Sequence, residues 1–453
     1  MKKRIKLVAV AALLLAAGAS AFAELDLLKV QKNIALGKKT IVIPSKAKDS
    51  DLAAIVDCIK EGEGITLDLS KTKIKTIEDG AFEGCDALNA IILPKGLASI
   101  GTGVFLECDK LSRIDIASGN KNYWSSEGVL FSKDKRTLIQ FPQGKTADYY
   151  EVPKGVTSIG EGAFISCSAL EQIKIPASVT SIGGYAFAGC STLAQVAIPS
   201  SITSIAEETF SGCEALTQVT IPSSVESIED AAFWGCKGLA DKDGFVIVRS
   251  ILFGYTGDAS SVVVPEGVTT VYGSAFNGCF DLAKIDVASG NKSCVSVDGV
   301  LFSKDKKTLI RFPPGNPADY YEVPEGVTSI GSDAFLGCEA LTQVKIPNSV
   351  TSIGNWAFEL CSSLEQVEIP ASVTSIGHSA FIDCKALAKI TIPSSVTSIG
   401  VEAFKECESL SPASITFADT SGWYFDKGFT QPAGADELAS SLKDGKALYK
   451  EVR

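Results

Sequence analysis

The chain has 453 residues, 45% of them apolar, and a formal net charge of −11. That balance argues against nucleic acid as a partner, because phosphate binding needs a basic stripe, and against general adsorption to anionic lipid. A chain of this length would ordinarily suggest about three globular domains, but internal repetition overrides that expectation, since a repeat stack has no single central core.

Residues 1–23 read as a secretory signal peptide. Lys2, Lys3 and Arg4 form a positive start, Leu7 to Ala17 a short apolar run, and Ala21-Phe22-Ala23 places cleavage before Glu24. The run is too short for a membrane span, and the first Cys after the cleavage site is Cys58, too distant to carry a lipid anchor. The mature chain is expected to be soluble, secreted or at the cell surface, with a periplasmic location left open. Residues 24–64 are expected to form an N-terminal cap with one helix near 50–59, N-capped by Asp49 or Ser50 and stopped near Gly62.

Residues 65–417 are repetitive. An Ala-Phe motif followed closely by Cys places Phe at 82, 105, 164, 187, 210, 233, 276, 335, 358, 381 and 404, mostly in steps of 23 residues. One unit runs from Leu170. Gln172-Ile173-Lys174-Ile175 alternates as a half-buried strand, and Pro176 ends it because it lacks a ladder donor. Val179 and Ile182 suit a second short extended segment, and Gly183 to Cys190 suits a helical or 3-10 turn that returns the chain. The pattern defines a β-rich repeat solenoid in which stacked units bury Leu, Ile, Val, Phe and Cys in columns.

Two of the Phe steps are 59 residues, and they hold insertions near 118–150 and 289–321. In the first, Gly128-Val129-Leu130-Phe131 and Thr137-Leu138-Ile139-Gln140-Phe141 read as a hairpin with a charged turn. The second copy lies 171 residues on, which points to duplication of a block of repeats. A 43-residue step holds a shorter relative near 241–264. Beyond Phe404 the pattern frays, and residues 418–453 are expected to form a C-terminal cap or tail, because an open last rung would expose core and strand edge.

Ile346-Pro347-Asn348-Ser349-Val350-Thr351-Ser352-Ile353-Gly354, followed by Ala-Phe and Cys, resembles the BspA-like class of leucine-rich repeats over roughly residues 65–417. The resemblance implies a leucine-rich-repeat-type solenoid of parallel strands in a bacterial surface or secreted protein, with a role in adhesion to host components or other cells. The chain departs from the best-known leucine-rich consensus, which places Asn or Cys after the strand. Here that slot holds Ser178, Ser201, Ser224, Ser349, Ser372 and Ser395, whose hydroxyls can satisfy a nearby backbone group, or Gly96, Gly155, Gly267 and Gly326.

Eleven of the thirteen Cys residues share one repeat slot. Rungs about 5 Å apart would allow disulfides by distance, but parallel side chains do not readily reach the required dihedral. Buried free thiols are therefore favoured over a disulfide ladder. No metal site is expected, for want of Cys-x-x-Cys and a partner His, and no cofactor. The one His, His378, sits in a slot that varies between units, as an exposed position would, so no catalytic residue is assigned. Paired carboxylates such as Glu365 and Glu368 leave a carbohydrate-active solenoid enzyme as a weaker alternative, behind a structural or scaffold role in the envelope.

The leading expectation is a non-enzymatic surface that binds host or partner-cell proteins. Its candidate face is the outward strand positions Gln172, Lys174, Gln195, Gln218, Gln343, Lys345, Gln366 and Glu368, columns that contain no large aromatic anchor. A solvated ladder is the competing explanation for these residues. A second candidate region is the basic hairpin turns, Lys133, Lys135 and Arg136 in one insertion and Lys304, Lys306 and Lys307 in the other, which could attract anionic groups locally.

Overall fold

A computed structural model describes residues 21–427, 431 and 433–450, with side chains from residue 27 onward. The proposed signal peptide lies outside the described residues up to position 20. The chain divides into two compact units, the first ending at Leu239 and the second beginning at Ala240.

The first unit opens with helix Ala21–Ala35, strand Thr40–Val42, and a 3-10 turn at Asp49–Asp51 that runs into helix Leu52–Lys60. The second helix is the one anticipated near 50–59, and it buries Leu52, Ile55, Val56 and Ile59. The first was not anticipated. Its Leu27 and Val30, one turn apart, are buried against the same core as the second helix.

Each 23-residue unit then contributes two short strands. Gln172–Lys174 pairs in parallel with Gln195–Ala197, and that strand with Gln218–Thr220. Ser158–Ile159 pairs in parallel with Ser181–Ile182. The second unit repeats the arrangement with Gln343 opposite Gln366 and with Ser329, Ser352, Ser375 and Ser398 in one column. Alternation decides the facing: Ile173, Val344 and Val367 are buried while the residues flanking them are exposed. The solenoid of leucine-rich-repeat type is thus realised as two parallel strand columns around a stacked core.

The return segments depart from expectation. Among the described residues, Gly273–Phe276 is the one such segment that forms a 3-10 turn; the others are tight turns. The backbone explains why. Residues two before and two after the repeat Phe lie in the left-handed region, as at Tyr185 (φ 57°) and Gly189 (φ 70°) around Phe187, or Trp356 (φ 52°) and Leu360 (φ 58°) around Phe358. A left-handed residue every fourth position is incompatible with continuous helix. The backbone N–H groups instead reach the next rung: Phe164 N–H to the Ala186 carbonyl, Phe335 to Ala357 and Phe358 to Ala380, each at 2.7 Å.

Between these turns the Phe rings stack. Phe335, Phe358, Phe381 and Phe404 are fully buried, with centroids 4.8, 4.9 and 5.2 Å apart and planes within 4°. Phe187 and Phe210 in the first unit stack at 5.3 Å. All thirteen thiols are free, the eleven of the repeat slot as expected. Their order has a cause that the sequence did not expose: nine of the eleven column thiols donate to the carbonyl of the Phe 26 residues earlier, as from Cys190 to Phe164 at 3.1 Å, Cys361 to Phe335 at 3.1 Å and Cys407 to Phe381 at 3.0 Å, while Cys279 donates to the Tyr255 carbonyl at 3.5 Å. The Ser slot behaves as anticipated at Ser178, Ser224 and Ser372, which donate to Val156, Ile202 and Val350 carbonyls at 2.8, 2.9 and 2.6 Å, and at Ser201, which donates to Val179. Ser349 instead accepts from Gly326 N–H at 3.1 Å, and the buried Oγ of half-buried Ser395 has no hydrogen-bond partner.

Each long insertion is a three-stranded antiparallel meander: Tyr123–Ser126, Val129–Ser132 and Thr137–Gln140 in the first, Cys294–Val297, Val300–Ser303 and Thr308–Arg311 in the second. The anticipated hairpin is its last two strands, and the third strand rejoins the Ser-Ile column in parallel. A buried Asn fixes each insertion to the rung before it. Asn291 donates to the Pro265 and Val268 carbonyls at 2.8 and 3.0 Å and accepts from Ser293 and Cys294 N–H at 2.8 and 3.0 Å. Asn120 makes the same contacts in the first copy, reaching Leu97 at 2.9 Å. Arg311, where the first copy has Gln140, is fully buried and donates to the Asp333, Phe276 and Leu336 carbonyls. At the C-terminal end, Leu448–Lys450 pairs antiparallel with Ser398–Ile399 and covers that strand's edge, while Trp423, Leu438 and Leu442 pack into the second unit's core.

Candidate binding face and insertion tips

The eight face residues anticipated from sequence are all exposed. Within the first unit, register stacks Gln172, Gln195 and Gln218 in one column, with Lys174 beside it; within the second it stacks Gln343 on Gln366 and Lys345 on Glu368. The third and fifth strand positions share the solvent side because side chains alternate with period two.

The structure corrects the reading that these columns lack aromatics. Strand Tyr149–Glu151 pairs in parallel with Gln172–Lys174, and Tyr320–Glu322 with Gln343–Lys345. Tyr149 and Tyr320 therefore head the two amide ladders, and they are 48% and 44% exposed. Their neighbours in sequence turn inward: Tyr150 lies 4.8 Å from the Phe141 ring and Tyr321 4.7 Å from Phe312. Burial pushes both inner phenols above their ordinary range. The signal was present in the sequence, because Tyr149 and Tyr320 each stand 23 residues before a ladder Gln and Tyr-Tyr-Glu alternates as Gln-Ile-Lys does. It was hidden by assigning both tyrosines to the insertions.

The same ion pair recurs in both copies. Lys174 Nζ lies 3.0 Å from Glu151 Oε1, and Lys345 Nζ 2.6 Å from Glu322 Oε1. Each lysine holds its carboxylate partner below the ordinary range, and each carboxylate raises its lysine. The phenols of Tyr149 and Tyr320 reach the same carboxylates at 3.5 and 3.4 Å. These are exposed contacts that order side chains more than they stabilise the fold. Each ladder head is thus a phenol ring over a paired Glu and Lys, with amides continuing along the rungs.

The basic turns are exposed at all six anticipated positions. Glu365 and Glu368 are also exposed, on the mixed solvent face. His378 is half-buried rather than exposed. Its ring meets Trp356 edge-on at 5.2 Å, and its Nε2 lies 3.2 Å from Ser379 Oγ. Among the described residues, no cluster of His, Cys, Asp and Glu is arranged to hold a metal ion, and no helix is long and apolar enough to cross a membrane.

Turns of this kind, repeated with a Phe and a Cys column, define a leucine-rich repeat protein. The BspA type leucine-rich repeat region, in six copies, matches residues 61–147, 140–251, 246–316 and 311–423, and the chain belongs to that family. Among solved structures it is similar to a leucine-rich cell surface protein from Faecalibacterium prausnitzii A2-165, with 29% identity over 77% of this chain and 84% of that one and a TM-score of 0.37. It is also similar to the pneumococcal vaccine antigen PcpA, at 21% identity over 70% and 75% of the two chains with a TM-score of 0.35. A leucine-rich repeat protein from Bacteroides ovatus ATCC 8483 has 26% identity over 75% and 82%, with a TM-score of 0.27. No curated protein matches the chain.

Proposed function

We propose that the chain is exported and serves as a non-enzymatic docking surface for proteins of a host or partner cell, engaged through the two tyrosine-headed amide ladders. The observation that carries this reading is the exposure of Tyr149 and Tyr320 at the heads of the Gln columns. Tyrosine supplies amphipathic contact area at small entropic cost and is enriched where binding energy concentrates. Ladder amides offer donors and acceptors at fixed rung spacing, which suits a broad partner surface. The residues at 1–23 support export, with the mature chain starting at Glu24 and consisting of an N-terminal cap to residue 64, the repeats to 417 and a C-terminal cap.

The test is surface plasmon resonance of residues 24–453 against purified matrix and cell-surface proteins, beside the double variant Tyr149→Ala/Tyr320→Ala. Truncating both anchors is expected to weaken binding by at least about tenfold, with unchanged melting. A double variant that binds as well as the unaltered chain overturns the ladder assignment. Absence of binding to any such protein favours a scaffold role, for which the self-pairing of Glu151 with Lys174 and Glu322 with Lys345 would be the supporting observation.

A further inference from the structure

The two insertions have diverged where they touch the core and have kept their charge at the tip. Between residues 118–150 and 289–321, Tyr123 corresponds to Cys294, Trp124 to Val295, Gln140 to Arg311 and Gln143 to Pro314. Four cations are retained in sign and position: Lys121 and Lys292, Lys133 and Lys304, Lys135 and Lys306, Arg136 and Lys307. Turn geometry does not require them. The turn is closed by its acid: Asp134 accepts from Ser132 Oγ at 2.6 Å and from Arg136 N–H at 3.1 Å, and Asp305 accepts from Ser303 Oγ at 2.7 Å and from Lys307 N–H at 3.0 Å. Those bonds use main chain and serine, not the cationic side chains.

Among the described residues, no salt bridge involves any of the eight cations, although, with the Ser132 and Ser303 hydroxyls, Arg136 and Lys307 help to hold the carboxylates of their own turns, Asp134 and Asp305, below the ordinary range. Their side-chain hydrogen bonds and ring contacts are with neutral groups. Lys135 Nζ stands 4.3 Å over the Trp124 ring, Lys304 Nζ donates to the Asn291 carbonyl at 2.6 Å, and Lys307 Nζ to Gly326 at 3.2 Å. Lys121 is brought alongside the tip because Lys133 N–H bonds the carbonyl of Asn122 at 2.9 Å, as Lys304 N–H bonds Ser293 at 3.0 Å beside Lys292. Some lysines elsewhere on the surface do pair with acids, as Lys174, Lys237 and Lys345 show.

We propose that each insertion tip is a docking point for an anionic polysaccharide carrying sulfate or carboxylate groups, so that the chain has two such points. A chain of net charge −11 repels a densely charged polymer that must lie along its surface. A flexible glycan, heparin included, that engages the protein only at an exposed tip avoids most of that repulsion, because screening limits the tip's interactions to about 8–10 Å at physiological salt. Nucleic acid, which demands a continuous basic track, does not fit a four-cation tip.

The test is retention of the full mature chain on heparin-agarose, with solution titration of heparin and of desulfated heparin. Retention near physiological salt that weakens steeply as salt rises is expected, with desulfation weakening binding. Replacing Lys133, Lys135 and Arg136 by Gln is expected to lower affinity about tenfold, and adding the same change at Lys304, Lys306 and Lys307 to remove retention. Lys135→Arg/Lys306→Arg is expected to bind like the unaltered chain, and unchanged melting of each variant shows that turn and fold persist. Flow-through of the unaltered chain at low salt, or a six-substitution variant that elutes at the same salt, overturns the proposal. Tyr149→Ala/Tyr320→Ala leaves heparin binding intact if the tips act independently of the ladders; a loss in that variant overturns the assignment to the tips.

Discussion

Alkaline titration of the Cys column is the sharpest test of the interior. In the second unit Cys338, Cys361, Cys384 and Cys407 are all buried. Burial pushes Cys338 up to about 12 and Cys407 up to about 11, and holds Cys361 and Cys384 well above their ordinary value of 9.0. The unfolded chain binds protons no more tightly than ordinary thiols do. Well below pH 9 both states keep the thiol protonated, so the full contribution is present. Above pH 9 the unfolded state alone loses protons, and stability falls until the folded values are reached. At pH 10 each thiol then costs about 1.4 kcal/mol relative to neutral pH, and the four together about 5.5 kcal/mol. That is comparable to the whole stability of many domains, about 5–15 kcal/mol. The assay is urea unfolding in excess reductant, followed by circular dichroism at pH 8, 9 and 10. The midpoint is expected to be nearly flat up to pH 8, to fall at pH 9 by the equivalent of about 1.6 kcal/mol for the four thiols, and to drop steeply above it. Cys361→Ala is expected to reduce the drop at pH 10 by about 1.4 kcal/mol. An unchanged midpoint at pH 10, or a drop that Cys361→Ala leaves as large as before, would refute the argument that buried neutral thiols line this core.

Other substitutions probe the backbone. A Cβ on Gly377 would lie 2.5 Å from Asn355 N and from Gly354 C, backbone atoms of the preceding rung, so Gly377→Ala is expected to cost about 3 kcal/mol by urea unfolding. Leu360 holds φ 58° and is 36% exposed, so Leu360→Gly is expected to be neutral to about 1 kcal/mol stabilising, whereas Leu360→Val should destabilise; a thermal melt of each decides. Asn291→Ala strips partners from two carbonyls and two N–H groups, and is expected to cost about 3 kcal/mol and to raise hydrogen exchange at Ser293 and Cys294 before the rest of the unit. Thiol titration of the denatured, unreduced chain is expected to find close to thirteen free groups; two or fewer would contradict the free-thiol column.

Residue pattern alone carries the repeat, its 23-residue period, the inward and outward strand positions, the duplicated insertions and the common slot of the Cys residues. Periodicity is a local property, and a stack of like units converts it directly into columns. Tertiary structure decided what depends on the neighbouring rung. The thiol order comes from a Phe carbonyl 26 residues away, and the return segments are tight turns because their N–H groups pair with the next rung and leave two left-handed residues around each Phe. The candidate face shows the same division. The Gln columns were legible from alternation alone, but Tyr149 and Tyr320 joined them only through register, because the insertion interrupts the period just before each tyrosine and parallel pairing restores it. Arg311 could be read as a surface charge on an exposed strand; it is buried because three backbone carbonyls from two different turns converge on its guanidinium, and no sequence pattern announces that convergence.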